Sequence, residues 1–186
     1  MANISNYLEY KNKSTRTMPD LGKSKNETHM MAGLFTEKAE IIDVLKKKIA
    51  YDKEIDMINL KEEIGDFMWY FVNAELVIEK ELGSFDHYKY ITENAKAERE
   101  LIKKISIEKF TSELLKIDFG SGITRFSLLL AGDFISKVLA YFNIDFMECL
   151  NSNYEKLLKR YPEGFNTDKA VNRDLDTERK TLEDNS

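Results

Sequence analysis

ETHMMAGLFTEKAEIIDVLKKKI, residues 27–49, carries apolar side chains at Met30, Met31, Leu34, Ile41, Ile42, Leu45 and Ile49. Recurrence every three or four positions marks one face of a helix. The basic run Lys46 to Lys48 complements the dipole of a helix C-terminus and reads as a stop signal. After a linker, YDKEIDMI (51–58), the pattern resumes from Asn59 to Leu82 with a stripe of Leu60, Ile64, Phe67, Met68, Phe71, Leu76 and Ile78, closed by Gly83-Ser84. Further amphipathic segments span Tyr88 to Ile105, Ile107 to Ile117, Ile123 to Phe142 and Asp145 to Arg160. Asp145 stands at an N-cap position of the last segment, with Glu148 at its capping-box position.

Composition agrees with an all-α chain. Among 186 residues there are 2 prolines, Pro19 and Pro162, which leaves more than 140 consecutive residues free of a residue that costs ~3 kcal/mol inside a helix. No strand pattern or internal repeat is evident, and the length suits one domain, expected over residues 1–175, with a charged flexible tail at 176–186. Residues 1–26 are polar and mixed, with the turn-like stretch MPDLGKSKN (18–26) near their end, where Gly22-Lys23-Ser24 predicts an ordinary loop. Gly22-Lys23-Ser24 is not a phosphate-binding loop, because Thr17 stands where the first glycine should be and no buried strand precedes it.

Lys and Arg number 28 against 33 Asp and Glu, a net charge of −5, which argues against a nucleic-acid binder. Cys149 is alone, so neither a disulfide framework nor a zinc cluster is expected, and a reducing compartment is. MANISNYLEYKNK has no apolar stretch of a targeting segment and no run approaches the ~20 apolar residues of a membrane span. A soluble cytoplasmic protein without membrane partners is expected.

Glu37 and Glu40 are three apart on the first long helix, and Glu63 and Asp66 are three apart on the second. Each pair therefore shares a face, at the border of its apolar stripe. A short linker makes the two helices antiparallel neighbours, so the facing stripes bring four carboxylates into one cleft. Unit charges ~4 Å apart repel by ~4 kcal/mol at an effective dielectric of 20, so such a cleft takes up protons or cations. Oxygen-only ligands favour Mg²⁺, or Mn²⁺ in its place, over zinc. Gly33 and Gly65 lie inside these helices, where glycine usually marks a close approach.

With E-x-x-E at 37–40 and E-x-x-D at 63–66, the chain resembles the MazG-like all-α nucleoside triphosphate pyrophosphohydrolases, and more narrowly their short phage-type forms. The resemblance is carried by HMMAGLFTEKAEIIDVLKK (29–47), LKEEIGDFMWYF (60–71) and NSNYEKLLKRYPEGF (151–165) with AVNRD (170–174). It implies a helical bundle that forms a homodimer or homotetramer, in the host cytoplasm if phage-encoded, and cleaves an NTP or dNTP to NMP and pyrophosphate with Mg²⁺. Glu37, Glu40, Glu63 and Asp66 would be the metal ligands and catalytic acids. Asn153, Lys156 and Arg160 would meet phosphate or sugar. Trp69 is a candidate for stacking on the base, and Lys53, with Lys47 and Lys48, for reaching phosphate.

Two departures from the family pattern stand out. Lys38 and Ala39 replace the small Ala-Gly often found inside the first motif, which predicts a crowded or re-charged site. About 60 extra residues, roughly 75–135, predict an inserted helical hairpin serving as lid, oligomer contact or specificity element. The alternatives to the enzyme are a catalytically weak or inactive helical protein that binds nucleotides or a protein partner, and a purely structural helical oligomer.

Overall fold

The computed structural model describes residues 4–79, 83, 85–165 and 180. They form α1 (Tyr7–Ser14), a 3₁₀ turn (Thr15–Thr17), α2 (Lys23–Tyr51), α3 (Met57–Val77), α4 (His87–Ile102), α5 (Ile107–Leu115), α6 (Arg125–Phe142) and α7 (Phe146–Arg160). Among the described residues there is no strand, and no single helix is long and apolar enough to cross a membrane. The tail at 176–186, apart from residue 180, and the AVNRD block lie outside the described residues, as do residues 80–82 of the expected second helix.

Local chemistry explains where the helices begin. Asn6, Asp56, Asp86, Ser106, Thr124 and Asp145 each accept, through the side chain, the backbone N–H three residues ahead. Each such cap satisfies a donor that the helix cannot, a contribution of ~1 kcal/mol. Asp145 caps α7 as expected, whereas the Glu148 carboxylate reaches across to Lys61 Nζ (2.6 Å). α2 starts instead at Gly22, whose φ of 81° lies in the left-handed region. Helix α2 thus opens at Lys23, four residues before the expected start at Glu27, and its first turn contains the Lys and Ser of the false phosphate-loop motif.

Helices α2 and α3 are antiparallel. Gly33 faces Tyr70, and the carboxylates of Glu37, Glu63 and Asp66 converge between the two helices. A Cβ on Gly33 would come within 2.1 Å of the Tyr70 ring, and one on Gly65 within 2.8 Å of Asn153 Cβ. Both glycines are therefore where another residue's side chain lies against helix backbone. α7 runs parallel to α3, with Lys61 paired to Glu148 and Asp66 to Lys156.

The 75–135 segment is not a projecting hairpin. Phe85 meets Arg125, Ile91 meets Gly132, Glu98 pairs with Lys137, and the Tyr141 hydroxyl donates to the Ile105 carbonyl. Both members of these pairs advance together, so α4 and α6 are parallel and α5 returns the chain between them. Ile91, Phe110, Leu114, Phe119, Leu128 and Phe134 join the same hydrophobic core as Phe67, whose ring lies 5.9 Å from Phe119 and 5.6 Å from Phe134. Two residues of the expected stripes stay outside that core, Ile49 at 40% and Leu76 at 42% exposure.

The polar N-terminal segment, to which the sequence reading assigns no helix, forms α1. Ile4 and Tyr10 are buried, and α1 lies across α3 and α7. Its capping signal was present in the sequence, since Asn6 accepts from Glu9 N while the Glu9 carboxylate takes the Ser5 N–H (2.8 Å). On its other side, buried Glu75 of α3 accepts from the Tyr7 hydroxyl (3.0 Å) and lies 3.2 Å from Lys11 Nζ and 2.6 Å from His87 Nδ1.

Candidate acidic site

Carboxylate oxygens of Glu37, Glu63 and Asp66 lie within 4.8 Å of one another. Glu63 is buried and the other two are half-buried. Glu40, the fourth acid expected here, is exposed and outside this group, because it sits one turn nearer solvent on α2. Its charge still reaches the cluster and adds to the repulsion on Glu37 and Glu63.

Burial, followed by repulsion from Asp66 and Glu40, pushes Glu37 up to about 8, against a smaller opposing pull from Lys156. Glu63 is raised further, to about 9, again by burial first and then by Asp66, Glu40, Glu37 and Glu62. Both groups prefer to keep a proton, which is what crowded carboxylates do without a neutralising cation. All donors are oxygens and no His or Cys joins the set, so the residues fit a hard divalent ion such as Mg²⁺.

Asp66 is held from the side of α7. Asn153 Nδ2 donates to Oδ1 (2.6 Å), and Lys156 Nζ donates to Oδ2 (2.5 Å) and to Glu62 Oε1 (3.2 Å). Lys156 is 1% exposed, a cation placed inside a group of acids. Burial alone would push its ammonium down, but Asp66 and Glu62 outweigh that and keep its pKa above the ordinary lysine value. Asn153 and Lys156 therefore fall at the acids. Glu62 and Tyr10, whose hydroxyl donates to Asn153 Oδ1 (2.8 Å), belong to the same network and were not singled out from the sequence.

A cavity of about 490 Å³ opens beside the cluster, with Glu37, Asp66 and Arg160 in its walls together with the rings of His29, Trp69, Tyr70, Tyr161 and Phe165. That size lies within the ~300–1,000 Å³ of small-molecule sites. The Trp69 indole N–H donates to Thr17 Oγ1 (2.7 Å), and its ring meets Tyr70 edge-on at 4.8 Å. Burial lowers the pKa of His29, so its imidazole is neutral near pH 7. A larger groove of about 690 Å³ lies between α4, α5 and α6, but its charged groups Glu98 and Lys137, and Glu113 and Lys116, pair with each other. Of the two, the smaller cavity is the one walled by members of the acidic cluster.

The expected lysines do not converge. Lys53 is exposed on the α2–α3 linker and does not line the cavity. Lys47 pairs with Asp43 (2.8 Å) and Lys48 with Asp52 (2.8 Å), each within its own helix end. Nor does Lys38 re-charge the site. Its ammonium donates to the Ile117 carbonyl and lies 5.0 Å from the Phe119 ring centre, with Asp118 the charge that acts on it. Lys38 thus fastens α2 to the chain after α5 and is turned away from the acids.

The cluster carries a pH signature. A glutamate ionises near 4.3 when unfolded, and Glu37 and Glu63 do so near 8 and 9 when folded, so between those values the folded chain binds more protons. Metal-free stability is expected to fall as pH rises from about 5 to about 9. Urea unfolding at pH 6, 7.5 and 9 checks it; a midpoint that rises over this range contradicts crowded, uncompensated acids.

Comparison of the chain with models of known protein families, with curated proteins and with solved structures gives no match.

Proposed function

We propose that the protein is a Mg²⁺-dependent, MazG-like nucleoside triphosphate pyrophosphohydrolase that cleaves NTP or dNTP to NMP and pyrophosphate. The observation that carries this reading is the meeting of Glu37, Glu63 and Asp66 beside a cavity walled by Glu37 and Asp66 themselves, several aromatic rings and Arg160. These three acids would hold the metal, with Glu40 at the rim. The ion would supply charge neutralisation for the phosphates and a lowered pKa for bound water. Arg160 suits a phosphate oxygen, since its guanidinium stays charged and donates in a fixed fork. Trp69, fixed by Thr17, offers a ring face for a base. Lys156 holds and orients the Asp66 carboxylate.

Incubation with Mg²⁺ and a panel of NTPs and dNTPs, with products resolved by chromatography, tests the reading. NMP and pyrophosphate are expected from at least one nucleotide; absence of both from every nucleotide rejects it. A second reading has its own support. Lys156 already places a positive charge on Asp66, so the site has a built-in counter-cation and can serve as a nucleotide trap without turnover. Tight nucleotide binding with no product favours that alternative.

A further inference from the structure

We propose that Tyr10 of α1 is a positioning residue for the acidic site, orienting the Asn153 amide and, through it, the Asp66 carboxylate. The inference rests on the reading of Asp66 as a metal ligand.

Tyr10 is fully buried, and its hydroxyl donates to Asn153 Oδ1 at 2.8 Å, with the Gly65 carbonyl a more distant acceptor at 3.4 Å. An asparagine amide has one oxygen and one nitrogen end. With the phenol proton on Oδ1, the nitrogen end faces Asp66 and donates to Oδ1 of that carboxylate at 2.6 Å. The reversed amide would set oxygen against oxygen at Asp66. Asn153 also has no room to move aside, because it fills the notch at Gly65, where an added Cβ would lie 2.8 Å from its own Cβ.

α1 is anchored for this task on both sides of Tyr10. Tyr7 and Lys11 hold Glu75, and the 3₁₀ turn after α1 holds the Trp69 indole through Thr17. The N-terminal helix is thus a strap over α3 and α7 whose buried Tyr10 hydroxyl acts on a ligand's partner. Such outer partners typically change metal affinity ~10–100-fold.

Tyr10→Phe removes the hydroxyl and keeps the ring. Two readouts test it. In the metal-free protein, Asn153 side-chain amide protons followed by ¹⁵N NMR should exchange with solvent several-fold faster in the variant than in the wild type. In a Mn²⁺ titration, Tyr10→Phe should bind about tenfold more weakly, and should add nothing in an Asn153→Ala background. Leu8→Ala, which alters an exposed side chain of the same helix outside this network, should change neither readout. Unchanged Asn153 exchange in Tyr10→Phe, or additive losses in the double variant, overturns the proposal. Absence of Mn²⁺ binding by the wild type rejects the metal reading instead, and the amide exchange still decides whether Tyr10 orients Asn153.

Discussion

Glu63→Gln is expected to cut nucleotide turnover at least about a hundredfold while making the metal-free protein more stable at alkaline pH. Both effects come from one buried carboxylate. Glu63 is 8% exposed and faces Asp66, Glu40, Glu37 and Glu62, so its negative charge is the costliest in the cluster without a cation. With a cation, the same charge becomes a ligand. Glutamine has nearly the same shape as the protonated glutamate present near neutral pH, so the helix has no reason to unfold.

The stability contribution of the Glu63 proton is complete below the unfolded value near 4.3 and is lost as pH rises through about 9. The variant has no such loss. Its unfolding midpoint should match the wild type near pH 5, exceed it increasingly up to about pH 9, and respond less to millimolar Mg²⁺. Full turnover in Glu63→Gln, or an undiminished Mg²⁺-induced rise in melting temperature, removes Glu63 from the ligand set. A stabilised but inactive variant is the usual mark of a site whose charges serve function at the expense of folding.

Periodicity and punctuation made the helical plan legible. A period near 3.6 marked α2, α3, α6 and α7, and Asp145 announced the start of α7. The acids were legible for a related reason: a three-residue spacing puts two side chains on one face whatever surrounds them, and a short linker turns two helices antiparallel. Gly33 and Gly65 signalled close approach correctly, since Tyr70 and Asn153 lie where their Cβ atoms would be.

Features that depend on tertiary placement were not legible. α1 escaped because Tyr7, Leu8 and Tyr10 are too few apolar residues to set a period, and its placement depends on tertiary contacts, the Tyr7 and Tyr10 rings in the core and their hydroxyls at Glu75 and Asn153. Lys38 read as an intruder between two ligands, yet at one residue from Glu37 it points about 100° around the helix, toward Phe119. Glu40 read as the equal of Glu37 because spacing along one face says nothing of how deep each end of the pair lies. The parallel pairing of α4 and α6 rests on α5 crossing between them, and no local signal distinguishes that path from a hairpin.

Lys156→Met should be the most destabilising of these substitutions in the metal-free protein, by ~3–5 kcal/mol, or about 10 °C in melting temperature. The side chain is 1% exposed and bridges Asp66 (2.5 Å) and Glu62 (3.2 Å), so methionine can fill the space but leaves two carboxylates beside Glu37 and Glu63 without a counter-charge. Breaking a buried pair by removing one partner costs far more than the pair contributes net, because the remaining charge stays buried. Two conditions should recover stability: a lower pH, at which the acids take up protons, and a divalent cation, which replaces the ammonium's charge. Mg²⁺ should therefore raise the melting temperature more in Lys156→Met than in the wild type, as measured by calorimetry at pH 8. A metal-free variant as stable as the wild type at that pH would show that Lys156 does not neutralise the cluster. A lost Mg²⁺ response with folding intact would show that lysine and metal do not share Asp66, and that the ammonium alone balances the acids.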